Sequence, residues 1–362
     1  MPCYVTRTSR FLPGQAVDNE SIETYLGSLD GEVDVKSRVL AMNGIKQRHY
    51  AQDTHQRPTF DVYHLAVEAM RGLQADDRQS PDVTFLSAGT TYAPLAGPGI
   101  ASIIHHRAQS LGIVDRPIEI SSHAGICTSA SAAMVAAIRA VNSGEHRAAI
   151  CIGAEHASEV LKSSVIRPID DRSQHAELRN SQWFMAVFLR FMLSDGAGAF
   201  LLSDQPSDRG VSLKVNWTHS MSFANETPLC MKLDNASQLL SQDITILSRH
   251  LVPCSHKLLA DAWRTHDDCL NNYSMILPHM SSFFFRKKME RTLKDYWSHT
   301  DRPVPYWTNL ETVGNTGAAS IYVMLDQYLR MATLQDGQKL MLFIPESGQF
   351  NFVLVSLTAI VR

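Results

Sequence analysis

The run Ala124-Gly125-Ile126-Cys127-Thr128-Ser129-Ala130-Ser131-Ala132-Ala133 constrains this fold more than any other part of the chain. A strand-like segment, Ile118 to Ser121, leads into it, and Ala, Met, Val and Ile follow at helical density from Thr128 to Val141. A helix that opens on Ala and Ser side chains can be approached closely from every side, so it belongs inside a crowded core. The turn also sets Cys127 at a helix N-terminus. Unpaired N–H groups and the positive end of the helix dipole there favour the thiolate, the nucleophilic form. Taken alone, such a cysteine reads as a buried, inert thiol at a tight helix–strand contact.

Apolar strands and helix-like stretches alternate along the rest of the chain, which is the pattern of α/β architecture. Val83 to Ala88 reads as a buried strand, Ile118 to Ser121 as a second and Arg147 to Gly153 as a third. Met192 to Leu202 holds a turn, Ser194-Asp195-Gly196-Ala197-Gly198-Ala199, that runs into another apolar strand. Tyr273 to Leu277, Lys339 to Ile344 and Asn351 to Val361 read as strands of a second half. Phe283 to Tyr296 reads as a helix with a basic face, and Asn315 opens a long apolar helix. No sequence repeat is visible, yet both halves follow one scheme of strand, small-residue turn and buried helix. With 362 residues, 44% of them hydrophobic, the chain has material for two core-forming halves.

Charge excludes some functions. Thirty-three basic against 36 acidic residues leave a net charge of -3, which gives no reason to expect nucleic acid or a membrane surface as a partner. No run reaches the roughly 18 apolar residues of a membrane span, and the start lacks the pattern of a signal peptide, so the expected location is cytoplasmic. The cysteines Cys3, Cys127, Cys151, Cys230, Cys254 and Cys269 have neither disulfide-framework nor zinc-site spacing, so no metal is expected.

Three further segments carry candidate chemistry. In Ile276-Leu277-Pro278-His279 a histidine follows a strand and a proline, where it can project into a cleft; most histidines in such places bond to backbone instead. In Gly314-Asn315-Thr316-Gly317-Ala318-Ala319-Ser320 an asparagine can cap the next helix or offer its amide to a substrate carbonyl. In Pro345-Glu346-Ser347-Gly348-Gln349 a glycine allows close backbone approach to a ligand, or makes an ordinary hairpin.

In this order and spacing the four segments resemble the β-ketoacyl-acyl-carrier-protein synthase III branch of the thiolase superfamily. Phe11-Leu12-Pro13 with Val17-Asp18-Asn19, Asn43-Gly44-Ile45-Lys46-Gln47-Arg48 and Ser194-Asp195-Gly196-Ala197-Gly198-Ala199 also match the family's patterns, so the resemblance spans nearly the whole chain. It implies a thiolase fold of two pseudo-duplicated halves, residues 1–204 and 205–362, in a five-layer αβαβα sandwich, usually homodimeric. It implies that Cys127 takes an acyl group from a coenzyme A or acyl-carrier-protein thioester, with no metal or redox cofactor. The backbone N–H groups of Cys127 and Gly348 would form the oxyanion hole, and His279 and Asn315 would hold the second thioester's carbonyl during a Claisen condensation.

Two departures point away from the housekeeping member of the family. Met280-Ser281-Ser282 replaces the usual Q-A-N, and Pro345-Glu346-Ser347-Gly348-Gln349 replaces a triple-glycine loop. Both suit specialised branches, including ketosynthases that make dialkylresorcinol or cyclohexanedione skeletons and members that pass the acyl group to oxygen or nitrogen. Arg286, Lys287 and Lys288 suggest a basic patch for a carrier protein or coenzyme A phosphates, or a solvated helix face. Thr218, His219 and Phe223 are placed by guess near the entrance, and Trp183, Phe184, Met185, Phe188 and Phe191 read as core, an acyl tunnel or a dimer contact. The alternatives are acyl transfer to a hydroxyl or amine, which has less use for Asn315, and a non-catalytic partner subunit, against which the intact Cys127 speaks. A papain-like protease shares the Cys, His, Asn chemistry but not these glycine and alanine contexts.

Overall fold

The computed structural model describes residues 1–29, 32–74, 81–166 and 176–362. The first half of the chain contributes β1 (Tyr4–Phe11), β2 (Phe85–Thr90), β3 (Glu119–Ala124), β4 (Ala148–Glu155) and β5 (Gly196–Ser203). The second half contributes β6 (Val211–Ser222), β7 (Met275–Pro278), β8 (Lys339–Ile344) and β9 (Asn351–Val361). All nine form one sheet in the order β7-β8-β9-β6-β1-β5-β4-β2-β3. Among the described strands of this sheet, the two blocks join where Tyr4 and Val5 of β1 pair with Lys214 and Leu213 of β6.

The blocks repeat one topology. Each orders its strands first, last, penultimate, second. The two pairings nearest the junction of the blocks are antiparallel, β1–β5–β4 and β6–β9–β8, and the next one outward is parallel, β4–β2 and β8–β7. In the first block β3 extends the sheet in parallel beyond β2. In the second, a single parallel bridge from Tyr306 to Ile276 of β7 stands in that place. The duplication that the sequence hides is therefore explicit in the hydrogen bonding.

Helices complete five layers. In the middle lie α3 (Ser129–Ser143) and α7 (Ser320–Met331), whose Ala130, Ile138, Tyr322 and Leu325 pack with residues of both blocks. The Tyr322 hydroxyl ties these helices together by donating to the Ala130 carbonyl at 2.8 Å. Ala130 is fully buried, so a larger residue there would overpack the middle layer at a cost of roughly 1–3 kcal/mol. Two helices, α1 (Val62–Gly72) and α2 (Ile100–Ala108), cover the outer face of the first block. Across the second block lie α5 (Ile244–His266) and α6 (Arg286–Lys294), with α4 (Ala176–Arg190) in the same core. Asp243 starts α5 by accepting the Thr245 and Ile246 N–H groups, which would otherwise lack partners.

Strands β2, β4 and β5 are buried along their whole length, as continuous small and apolar runs require when both faces are covered. The segment after Ile118 corrects one expectation. It is a strand, but not a buried one: β3 is the sheet edge, and Ile120 is 38% exposed. Phe283 to Tyr296 is likewise helical in two pieces, a short 3-10 turn over Phe283–Phe285 followed by α6. No described helix is long and apolar enough to cross a membrane.

Candidate active site

Cys127 sits immediately before Thr128, the residue that caps α3, and only 8% of it is exposed. Asn315 stands in the same relation to the second central helix: Thr316 follows it, and a 3-10 turn, Gly317–Ala319, leads into α7. His279 comes from the end of β7, where its backbone N–H continues the sheet pairing by donating to the Phe343 carbonyl at 2.8 Å. Pro278, which ends β7, turns the chain there.

These elements converge on two cavities that share Cys127, Ser281 and Ser347. One, with about 610 Å³ of free space, holds His279 and is walled by Leu247, Leu251 and Phe285, with Lys288 also on its lining. The other, of about 520 Å³, holds Asn315 and Glu155 and is walled by Val160, Leu189 and Met192. Both are mainly apolar with a few polar groups, the usual make-up of a site for a chain-like organic ligand.

The state of each group follows from its surroundings. Burial lowers His279 to about 4, so the ring is neutral near pH 7, and its Nδ1 is buried without a partner among the described residues. Asn315 is oriented by chemistry: Gly317 N–H can only donate, so the amide oxygen faces it at 3.0 Å. The NH2 is left to donate toward the cavity. Cys127 departs from expectation. Burial first, then the charges of Glu346 and Glu155, push its thiol up, against the pull of the helix N-terminus. These surroundings favour the thiol over the thiolate.

Two glutamates that the sequence reading left without a role are part of this arrangement. Glu155 ends β4, is 2% exposed and accepts the Ala318 N–H at 3.0 Å. Burial raises it to about 7, opposed by hydrogen bonds from Thr91, Ala318 and Tyr92. Glu346 follows β8, is 5% exposed and accepts N–H groups from Gln349 at 3.2 Å and Asn351 at 3.1 Å. Hydrogen bonds from Gly348 and Ile126 further offset the upward push of its burial. An acidic residue at the end of an otherwise apolar strand was the available signal for both.

Gly348 packs against Glu346 and Ile126, and a Cβ there would lie 2.9 Å from Ile126 and strike the Glu346 carboxylate. The neighbouring Ser347 is the loop residue that lines both cavities. The basic patch divides as well. Lys288 reaches the first cavity, Arg286 is bound to Glu290 at 3.0 Å and to the Tyr306 hydroxyl at 2.8 Å, and Lys287 is on neither lining. Thr218, His219 and Phe223 line neither cavity; His219 pairs with Asp261 and Phe223 is in the core. Met185, Phe188 and Phe191 are core, Trp183 packs against it and Phe184 is exposed, while Leu189 and Met192 beside them reach the second cavity. The other matched motifs hold the scaffold: Arg48 is fully buried and bonds the Phe191 carbonyl, and Asp195 accepts N–H groups from Ala51 and Ser158.

A five-layer duplicated core with a cysteine and an asparagine at the heads of its two central helices defines the thiolase fold. The chain is 24% identical over 331 residues to the beta-ketoacyl-acyl-carrier-protein synthase III of Acholeplasma laidlawii, covering 91% of this chain and 90% of that protein. Among solved structures it is similar to AbyA1, a tetronic acid condensing enzyme, with a TM-score of 0.75, 17% identity and 99% of both chains covered. It is equally similar to a cysteine-to-serine OleA of Xanthomonas campestris with bound lauric acid and lauroyl-CoA, with a TM-score of 0.75, 16% identity and 99% of both chains covered. No protein-family model matches the chain.

Proposed function

We propose that the protein is an acyl-thioester condensing enzyme of the ketosynthase III type, acting in fatty-acid-derived or polyketide-type specialised metabolism. The observation that carries this reading is the position of Cys127 at the junction of two cavities, with His279 on one and Asn315 on the other. The likeness to a ketosynthase III and to condensing enzymes supports it.

In this mechanism Cys127 gives up its proton and attacks the carbonyl of a coenzyme A or acyl-carrier-protein thioester. The tetrahedral oxyanion is held by the Cys127 N–H and by an N–H of the 347–348 turn, with Ser347 the better placed. Each such donor contributes roughly 3 kcal/mol to the transition state. Collapse expels the donor's thiolate, which takes up the proton that Cys127 gave up and leaves as coenzyme A or carrier thiol, and an acyl thioester remains on Cys127. A malonyl- or β-ketoacyl-type thioester then binds with its carbonyl oxygen between neutral His279 and the Asn315 NH2. For a malonyl group, carbon dioxide leaves and its bonding pair forms an enolate stabilised by those two donors. The enolate carbon attacks the acyl group, and the Cys127 thiolate departs.

The exposed edge strand β3 supports a homodimer joined along that edge, and the reading goes with a cytoplasmic location. The boundary between the halves 1–204 and 205–362 falls in the connection from β5 to β6. Lys288 would contact the phosphates of the acyl carrier. The test is intact mass after incubation with acyl-coenzyme A and acyl-carrier thioesters, then with malonyl, β-ketoacyl or alcohol acceptors. An adduct absent from Cys127→Ala and converted to a carbon–carbon condensation product supports the reading. Release only to alcohol or amine acceptors replaces it with acyl transfer, and no adduct on folded protein replaces it with a non-catalytic partner role.

A further inference from the structure

The two glutamates of the site are related by the internal duplication. Glu155 stands at the carboxyl end of β4, the fourth strand of the first block. Glu346 stands just past the end of β8, which holds the equivalent place in the second block. Each reaches across to the other half's catalytic turn. Glu155 accepts the N–H of Ala318, three residues after Asn315. Glu346 stands beside Ile126, directly before Cys127, and accepts the N–H groups of its own loop from Gln349 and Asn351.

Both seats are built around their carboxylates. Gly317 has φ +50°, a conformation that favours glycine, and any Cβ on it would collide with Glu155. Gly348 stands in the same relation to Glu346. The geometry points to a crossed clamp: Glu155 is a positioning residue for Asn315, and Glu346 is a positioning residue for Cys127 and the 347–348 turn. The inference rests on the proposed roles of Cys127 and Asn315. It adds that each half holds the other half's working residue in place, so acylation depends on Glu346 alone and condensation on both glutamates.

A misplacement of the order of 1 Å at a reacting group costs about 100-fold in rate. Glu346→Ala is expected to slow formation of the Cys127 adduct from an acyl-coenzyme A by about that factor, and to slow condensation of pre-acylated enzyme as well, because enolate attack forms an oxyanion at the same carbonyl. Glu155→Ala is expected to slow condensation by about 100-fold while adduct formation stays within a few-fold of wild type. Glu155→Gln, which keeps a carbonyl oxygen for Ala318 N–H, restores most of the condensation rate. Gly317→Ala, which displaces the same contact from the other side, reproduces the Glu155→Ala pattern.

An independent readout does not need turnover. Glu346 and Glu155 are the charged groups acting on the Cys127 thiol, Glu346 more strongly, with His279 neutral on the same cavity and Lys288 also on its lining. Iodoacetamide alkylation of the Cys127 peptide, followed by mass against pH, is expected to move to lower pH in Glu346→Gln and by less in Glu155→Gln. Parallel loss of both steps in both alanine variants, tracking their melting temperatures, overturns the clamp, as does retention of both steps. If wild-type protein takes no acyl group at all, the functional reading falls, and the alkylation profiles alone decide the arrangement: unshifted profiles overturn it.

Discussion

The two halves of this molecule share a strand order and a central helix, and they differ in what they place at the head of that helix. The first half offers Cys127-Thr128-Ser129-Ala130 and the second Asn315-Thr316-Gly317-Ala318, each before a buried helix of the middle layer. One duplicated position thus places a cysteine thiol in one copy and an asparagine amide in the other. The second half adds His279 from its second strand. The edges also differ: the first block ends on the exposed strand β3, the second on the bridge at Tyr306. The comparison teaches that the scaffold is the shared part and the chemistry is the divergent part. Breaking the division of labour is the direct way to test it.

The largest expected effect belongs to the first half. Cys127→Ala should abolish the acyl adduct and lower condensation by at least about 10⁴-fold, read by intact mass and product formation. Residual condensation near wild type would remove the first half from the chemistry. Next come the second half's donors. His279→Ala and Asn315→Ala should each lower condensation by about 10²–10³-fold while leaving the adduct intact, because each removes one donor to the enolate oxygen. An Asn315→Ala loss below about tenfold, against that expectation, would favour acyl transfer to oxygen or nitrogen.

Gly348→Ala sharpens the comparison by pressing the second half's loop onto the first half's turn. The new methyl meets Glu346 and Ile126, so adduct formation should slow by about 100-fold, and condensation of pre-acylated enzyme should slow with it.

A smaller effect separates the halves by pH. Burial raises Glu155 from 4.5 to about 7. In that window the folded protein keeps a proton that the unfolded chain has released, so stability falls as pH rises through it. Burial lowers His279 from 6.5 to about 4, so its contribution is lost in the opposite direction, as pH falls through that range. Denaturant unfolding at a series of pH values should show Glu155→Gln losing the first slope and His279→Asn losing the second; unchanged slopes would contradict the burial argument. The smallest expected effect is at the rim. Lys288→Glu should raise KM for a carrier-protein or coenzyme A thioester a few-fold, while Lys287→Glu, off both linings, leaves it near wild type.

The chain order of small-residue turns, strands and glycines carried the layered α/β class, because periodicity and turn chemistry are local. It also marked Cys127, His279 and Asn315, since each lies beside a strand end or helix head that its neighbours define. The exposure of β3 was not legible: Ile118 to Ser121 has the composition of a short strand, and only the pairing order tells an edge from a centre. The basic run Arg286-Lys287-Lys288 looked uniform, yet helix rotation sends Lys288 to the cavity and leaves Arg286 with Glu290.

By itself, then, the sequence determined the elements, their alternation and the residue types at the heads of the central helices. Tertiary structure alone decided that Glu155 lines the site and Glu346 stands behind it, that Ser347 meets the cavities while Gly348 packs on the Glu346 carboxylate, and that burial and two carboxyl groups push the Cys127 thiol up. Those outcomes depend on contacts between segments some 160 to 220 residues apart, such as Glu155 with Ala318 and Glu346 with Ile126. Solvent exclusion and charge at a buried atom are set by everything packed around it, and local sequence does not encode which distant chain will arrive there.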